Sequence, residues 1–104
     1  PAPALPPAPA PQPAPTSDDY AEYSGRDCYA GYGAEELDSD ATAAGNLTAA
    51  LCTARCDGDP ACDCVTFRPV DGTCWKRKGC VITACYPNAA FNAYVKRVTV
   101  FFKK

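Results

Sequence analysis

Eight cysteines crowd into one part of this 104-residue chain: Cys28, Cys52, Cys56, Cys62, Cys64, Cys74, Cys80 and Cys85. A stretch that short cannot bury a large core. Cross-links must therefore supply much of its stability, and an even cysteine count at this density marks a small fold held by disulfides. Zinc is the alternative. Structural zinc sites favour Cys-x-x-Cys pairs, whereas the spacings after Cys52 are C-x3-C, C-x5-C, C-x-C, C-x9-C, C-x5-C and C-x4-C. All eight cysteines are therefore expected in disulfides, with the pairing left open.

The chain contains no histidine, which removes Ser-His, Cys-His and His-metal chemistry. Glu35, Glu36 and Asp38 are the best remaining acid set of the kind glycosidases use, but they read as a short acidic run on a solvated loop. Redox catalysis needs a reactive Cys-x-x-Cys. No catalytic residue, metal or cofactor is assigned, and the chain is expected not to be an enzyme. It has no methionine and starts at Pro1, so removal of a signal peptide or precursor segment is expected. No run approaches the ~20 apolar residues of a membrane span. An extracellular location follows: secreted, at the cell surface or in a matrix.

Three regions stand out. Residues 1–17 hold eight of the eleven prolines, mostly alternating with alanine. Proline fixes φ and removes the amide donor, so this stretch reads as an extended polyproline II stalk, whose proline run over residues 1–15 would be about 45 Å long at ~3.1 Å per residue. Its Ala-Pro repeats resemble the glycomodules of hydroxyproline-rich glycoproteins. That resemblance implies hydroxylation or O-glycosylation at Pro3, Pro7, Pro9, Pro11, Pro13, Pro15, Thr16 and Ser17. Residues 18–97 form the cysteine-rich domain. Residues 98–104 are a β-prone tail in which Val98, Val100, Phe101 and Phe102 would continue the last strand or pair with a neighbouring copy.

Within the domain, Leu47, Leu51, Cys52, Ala54 and Cys56 recur at helical spacing. The pattern predicts a helix over Thr48–Cys56, capped by Thr48 or Asn46 and stopped by Asp57-Gly58-Asp59-Pro60. Asp71-Gly72 between Cys64–Arg68 and Thr73–Arg77 predicts a hairpin. Alternation over Phe91–Lys96 predicts a further strand, and residues 20–42 one or two short ones. Asn46-Leu47-Thr48 is a glycosylation sequon, so Asn46 is expected to carry an N-glycan.

The block Cys52-x3-Cys56-x5-Cys62, Val65-Thr66-Phe67 and Asp71-Gly72-Thr73-Cys74-Trp75-Lys76, with its Asp59-Pro60-Ala61-Cys62 turn, resembles the PAN/apple domain family. The resemblance implies a small disulfide-rich α+β fold with one helix packed on a short antiparallel sheet. It further implies the pairs Cys52–Cys74, Cys56–Cys62 and Cys28–Cys85, leaving Cys64–Cys80. Cys64 departs from the family pattern, which has a small residue there. The family serves protein and sugar recognition, and Tyr29, Tyr32, Trp75 and Tyr86 would offer stacking faces for a ligand.

The net charge of −2 hides a gradient. All twelve carboxylates lie between Asp18 and Asp71, while seven cations and no acids follow Cys74. Such polarity favours head-to-tail contact between copies or attraction of acidic polysaccharide, unless folding mixes the charges. An acidic total in an extracellular chain argues against a nucleic-acid partner. The expected function is an extracellular structural or adhesive glycoprotein module, self-associating into a filament or matrix. The alternative is a carbohydrate-binding, lectin-like module.

Overall fold

A computed structural model describes residues 19–97. The Pro/Ala stalk with its candidate modification sites from Pro3 to Ser17, and the tail bearing Val98, Val100, Phe101 and Phe102, lie outside the described residues. The chain forms β1 (Tyr20–Asp27), β2 (Tyr29–Ala30), β3 (Gly33–Glu36), α1 (Ala49–Asp57), β4 (Cys64–Arg68), β5 (Thr73–Lys78), a 3-10 turn (Ile82–Ala84) and β6 (Tyr86–Lys96). This is a small α+β arrangement held by four disulfides.

Thr48 sits just outside the helix and its hydroxyl accepts the Leu51 amide at 3.1 Å, so it is the cap; Asn46 is not. Asn46 instead adopts a left-handed turn (φ 61°) and donates its amide to the Asp71 carbonyl at 3.0 Å. That bond holds the exposed sequon against the β4–β5 turn. Gly72 makes the contact possible. Its φ is +69°, and a Cβ there would meet the Leu47 backbone at 2.5 Å.

The sheet is larger than the sequence pattern indicated. It has six strands in the order β1-β6-β4-β5-β3-β2, and it is mixed, because β2 and β3 run parallel while the other pairs are antiparallel. The last strand begins at Tyr86 rather than Phe91. Its first half pairs with β1 alone, since the register with β4 stops at Phe67↔Asn92. Pro87 is therefore tolerated, because on that side no ladder bond is asked of it. Gly25, at φ 73°, makes the bulge that shifts the β1–β6 register between Ser24 and Arg26.

The strand order has a geometric consequence. β1 and β2 stand at opposite ends of the sheet, yet only Cys28 separates them in sequence. Consecutive Cα atoms are about 3.8 Å apart, so the two ends must meet and the sheet curls into a cup. Thr66 Oγ1 and Arg77 Nε both donate to the Cys28 carbonyl at 2.8 Å, which fixes the crossing over the inner face.

Strand alternation then assigns the two faces. On the outer face Val65, Phe67, Cys74 and Tyr94 join Tyr20, Cys52, Cys56 and Cys62 in the main core under α1. On the inner face Cys28, Cys85 and Ala93 make a second, smaller cluster with Ala34 and Ile82. The disulfides divide the same way. Cys52–Cys74 and Cys56–Cys62 bind the helix to the outer face, while Cys28–Cys85 and Cys64–Cys80 secure the inner one. Cys64 lies one residue from Val65, so its side chain points away from the helix, which explains why its partner lies beyond β5.

Candidate binding site

The inner face opens into a half-open cavity of about 310 Å³, lined by Asp27, Tyr29, Glu36, Asp40, Arg68, Trp75, Arg77 and Phe91. The strand register brings most of these together. Thr73, Trp75 and Arg77 alternate along β5, Arg68 faces Thr73 on β4, and Glu36 faces Arg77 on β3. Asp27 ends β1 and Tyr29 begins β2, so the chain crossing at Cys28 supplies the opposite wall.

Trp75 forms the floor. It is 6% exposed, and its indole donates to Asp40 Oδ1 at 3.1 Å. The Arg68 guanidinium lies 5.1 Å from its ring centroid, that of Arg77 5.8 Å, and the Phe91 ring 5.8 Å. Trp75 thus anchors two cations, with Arg68, Arg77 and Phe91 against its ring on the cavity lining.

The other three stacking candidates belong together. Tyr29 and Tyr32 have ring centroids 4.9 Å apart, and Tyr86 meets Tyr32 edge-on at 5.6 Å. Reciprocal backbone hydrogen bonds between Tyr29 and Tyr32 fix the turn that carries them. Tyr32 and Tyr86 remain 44% and 46% exposed, whereas Tyr29 extends the cluster into the cavity. The result is an aromatic rim beside a charged pocket.

Both arginines are heavily engaged. Arg77, almost fully buried, donates Nε to the Cys28 carbonyl and Nη1 to the Asp38 carbonyl, each at 2.8 Å, with Glu36 at 3.9 Å. Burial pulls its pKa down, and the carboxylates of Glu36, Asp27, Asp38 and Asp40 oppose that shift. Arg68 holds Asp71 through two bonds, at 3.1 and 2.9 Å, and reaches Thr73 Oγ1 at 3.3 Å.

The carboxylates are less engaged. Burial pushes the Asp27 carboxyl up from its ordinary value; Arg77 and Arg68 pull it back and Asp40 pushes it up further. Among the described residues no hydrogen bond reaches the Asp27 side chain. Among the described residues the Glu36 carboxylate meets a cation only through its long contact with Arg77.

The acid set considered for catalysis is dispersed. Glu35 and Glu36 are successive residues of β3 and point to opposite faces. Asp38 is buried, in an ion pair with Arg55 at 2.8 Å, and accepts the Lys76 amide at 2.9 Å. The sequence charge gradient is also partly mixed by folding: Lys76 pairs with Asp59 at 3.0 Å, and Arg77 approaches Glu36. No cluster of three metal-ligating side chains occurs among the described residues, and no helix there is long and apolar enough to cross a membrane.

Sequence reasoning missed Asp27, Asp40, Arg68, Arg77 and Phe91. The hairpin itself carried the available signal: two arginines fall on the Trp75 face of β4 and β5, and a guanidinium placed at inward-pointing strand positions needs built partners. No protein-family model matches the chain, and no curated protein or solved structure matches it.

Proposed function

We propose that this chain is an extracellular, non-catalytic recognition module that binds a carbohydrate at the mouth of the curled sheet. The observation that carries the reading is the cavity itself, where Tyr29 and Phe91 stand beside the carboxylates of Asp27, Glu36 and Asp40. Saccharides present apolar ring faces edged by hydroxyl donors, so aromatic faces next to fixed acceptors suit them. Four disulfides in so small a domain fit an oxidising compartment. The PAN/apple resemblance agrees with a helix stapled to a sheet by Cys52–Cys74. An N-glycan on Asn46 suits a residue in an exposed turn, and treatment with an amidase specific for N-glycans would reveal it as a mass loss.

Self-association into a filament or matrix is the second reading. It is favoured by Tyr32, Tyr86 and Val81, exposed by 44%, 46% and 55%. They adjoin one another, since Tyr86 contacts Tyr32 and the Val81 amide bonds the Gly33 carbonyl. The two readings separate in one comparison. The oxidised chain is applied to a glycan array beside Tyr29→Ala, and its mass in solution is measured against concentration. Selective glycan binding that is lost in Tyr29→Ala, by a monomer of constant mass, supports recognition. Concentration-dependent polymers without glycan binding support assembly instead.

A further inference from the structure

The ligand chemistry can be narrowed from the hydrogen-bonding commitments of the cavity, an argument that rests on the carbohydrate-binding reading above. Acidic saccharides are held by guanidinium and ammonium donors, which must be free to form the fork that a carboxylate or sulfate requires. Two guanidiniums line this cavity, and both already serve the protein. Arg77 is fastened by Nε and Nη1 to the carbonyls of Cys28 and Asp38. Withdrawing it to meet a ligand would leave two buried acceptors short of a donor and release the chain crossing. Arg68 already holds a carboxylate, that of Asp71, through Nε and Nη2. Its face also lies over Trp75 and Phe91 at 5.1 and 5.7 Å.

The acceptors show the opposite state. Three carboxylates, Asp27, Glu36 and Asp40, stand on the lining against the two arginines. Asp40 takes the indole N–H of Trp75 with one oxygen. Asp27 accepts no hydrogen bond among the described residues, and Glu36 meets Arg77 only at 3.9 Å. A ligand in this cavity must therefore bring donors and must not bring negative charge.

We infer that the cavity is specific for non-acidic saccharides, whose hydroxyl groups donate to Asp27 and Glu36 while the sugar ring lies against Tyr29, and that it rejects uronic acids, sialic acids and sulfated sugars. The selectivity comes from repulsion as well as attraction: an anionic ring carboxylate would face three like charges with no free guanidinium fork to balance them. The charge gradient of the sequence, with its cationic last third, pointed toward acidic polysaccharide. The cavity reverses that expectation locally, since it gathers acids from β1, β3 and the loop after it.

The test uses the oxidised full chain and pairs of oligosaccharides that differ only in oxidation at C6: gluco- with glucurono-, galacto- with galacturono-, and manno- with mannurono-oligomers, by calorimetry. In the hexose series that binds, the uronate is expected to bind at least about tenfold more weakly than its neutral counterpart. Asp27→Asn, which keeps an acceptor oxygen but removes a charge, is expected to narrow that gap. A uronate that binds as well as its neutral partner, or better, overturns this selectivity while leaving carbohydrate recognition standing. Failure of every member of all three series, neutral and acidic alike, overturns both.

Discussion

Arg77 donates its Nε to the Cys28 carbonyl at 2.8 Å, so a guanidinium on β5 grips the single residue that separates β1 from β2. The same group reaches the Asp38 carbonyl and the Trp75 ring. It ties the loop after β3, the floor of the cavity and the closing point of the sheet into one unit. The shape of the cavity is therefore expected to depend on this buried cation.

Replacing Arg77 tests that dependence. Arg77→Met leaves the Asp38 carbonyl without its donor, takes one of two donors from the Cys28 carbonyl and deprives Glu36 of its cation. It is expected to cost about 3 kcal/mol, in the range for breaking a buried charge network. Arg77→Lys should recover little, because a point ammonium cannot serve both carbonyls at once. Urea denaturation monitored by tryptophan fluorescence measures both variants. A Lys variant as stable as the parent would show that the fork geometry is unimportant.

Acid should loosen the domain through Asp38. Burial alone would raise its pKa, but hydrogen bonds from Arg55, the Lys76 amide and Thr42, with the Arg55 charge, outweigh it and hold the carboxyl below its ordinary value. A folded pKa below the unfolded one gives stability that is present above about pH 4 and is lost as pH falls through the folded value. The melting temperature should therefore fall below about pH 4. In Asp38→Asn the acid slope should be shallower from a lower starting stability. An identical slope in parent and variant would place the acid sensitivity elsewhere.

Alkali should act through two tyrosines. Burial, followed by the Glu22 charge, pushes the Tyr94 hydroxyl up to about 12, and burial with the hydrogen bond to Asp57 pushes Tyr20 higher still. Both folded values exceed the unfolded value of about 10, so their contribution is complete below that pH and is lost as pH rises through the folded values. Titration of phenolate absorbance should show these two groups ionising together with unfolding. Tyr20→Phe should cost about 1 kcal/mol at neutral pH, through the lost bonds to the Thr53 carbonyl and Asp57.

The four disulfides are not equivalent. Cys28–Cys85 spans 57 residues and Cys56–Cys62 only 6. Loop-closure entropy assigns roughly 4 kcal/mol to the first and roughly 2.4 to the second. Replacing both members of the first pair with alanine should therefore destabilise the domain more than replacing both of the second. It should also weaken ligand binding, because Cys28 carries the crossing above the cavity. Alkylation after full reduction should add eight groups to the parent chain and none before reduction. Equal losses of stability from the two double variants would contradict the entropic ordering.

Much of the scaffold is legible from local rules. Asp71-Gly72 and the helical spacing of Cys52 and Cys56 place the hairpin and the helix within a residue or two, because turn and cap chemistry act between near neighbours. The structure joins Cys52–Cys74, Cys56–Cys62 and Cys28–Cys85, the three pairs the family resemblance implied, and also Cys64–Cys80, the pair left over. The mixed six-stranded sheet was not legible. β2 and β3 are two and four residues long, too short for any alternation to register, and their placement depends on a crossing at Cys28 that only tertiary contacts fix. The site was half visible for the same reason. Tyr29 could be named from composition, but Asp27 and Asp40 enter the cavity through the curl. The contacts of Arg68 and Phe91 with the Trp75 ring depend on the same curl.

The central claim is that a saccharide occupies the inner-face cavity, and one resonance reports on it. The chain has a single tryptophan, and its indole N–H points at Asp40 on the cavity lining. In a nitrogen–proton correlation spectrum, titrating the neutral oligosaccharide that binds best should shift that lone indole peak along with the Asp27 and Tyr29 amides. The signals of the helix residues Ala49–Asp57, across the sheet, should stay in place. Saturable glycan binding that leaves the indole and Tyr29 signals unmoved would contradict the account.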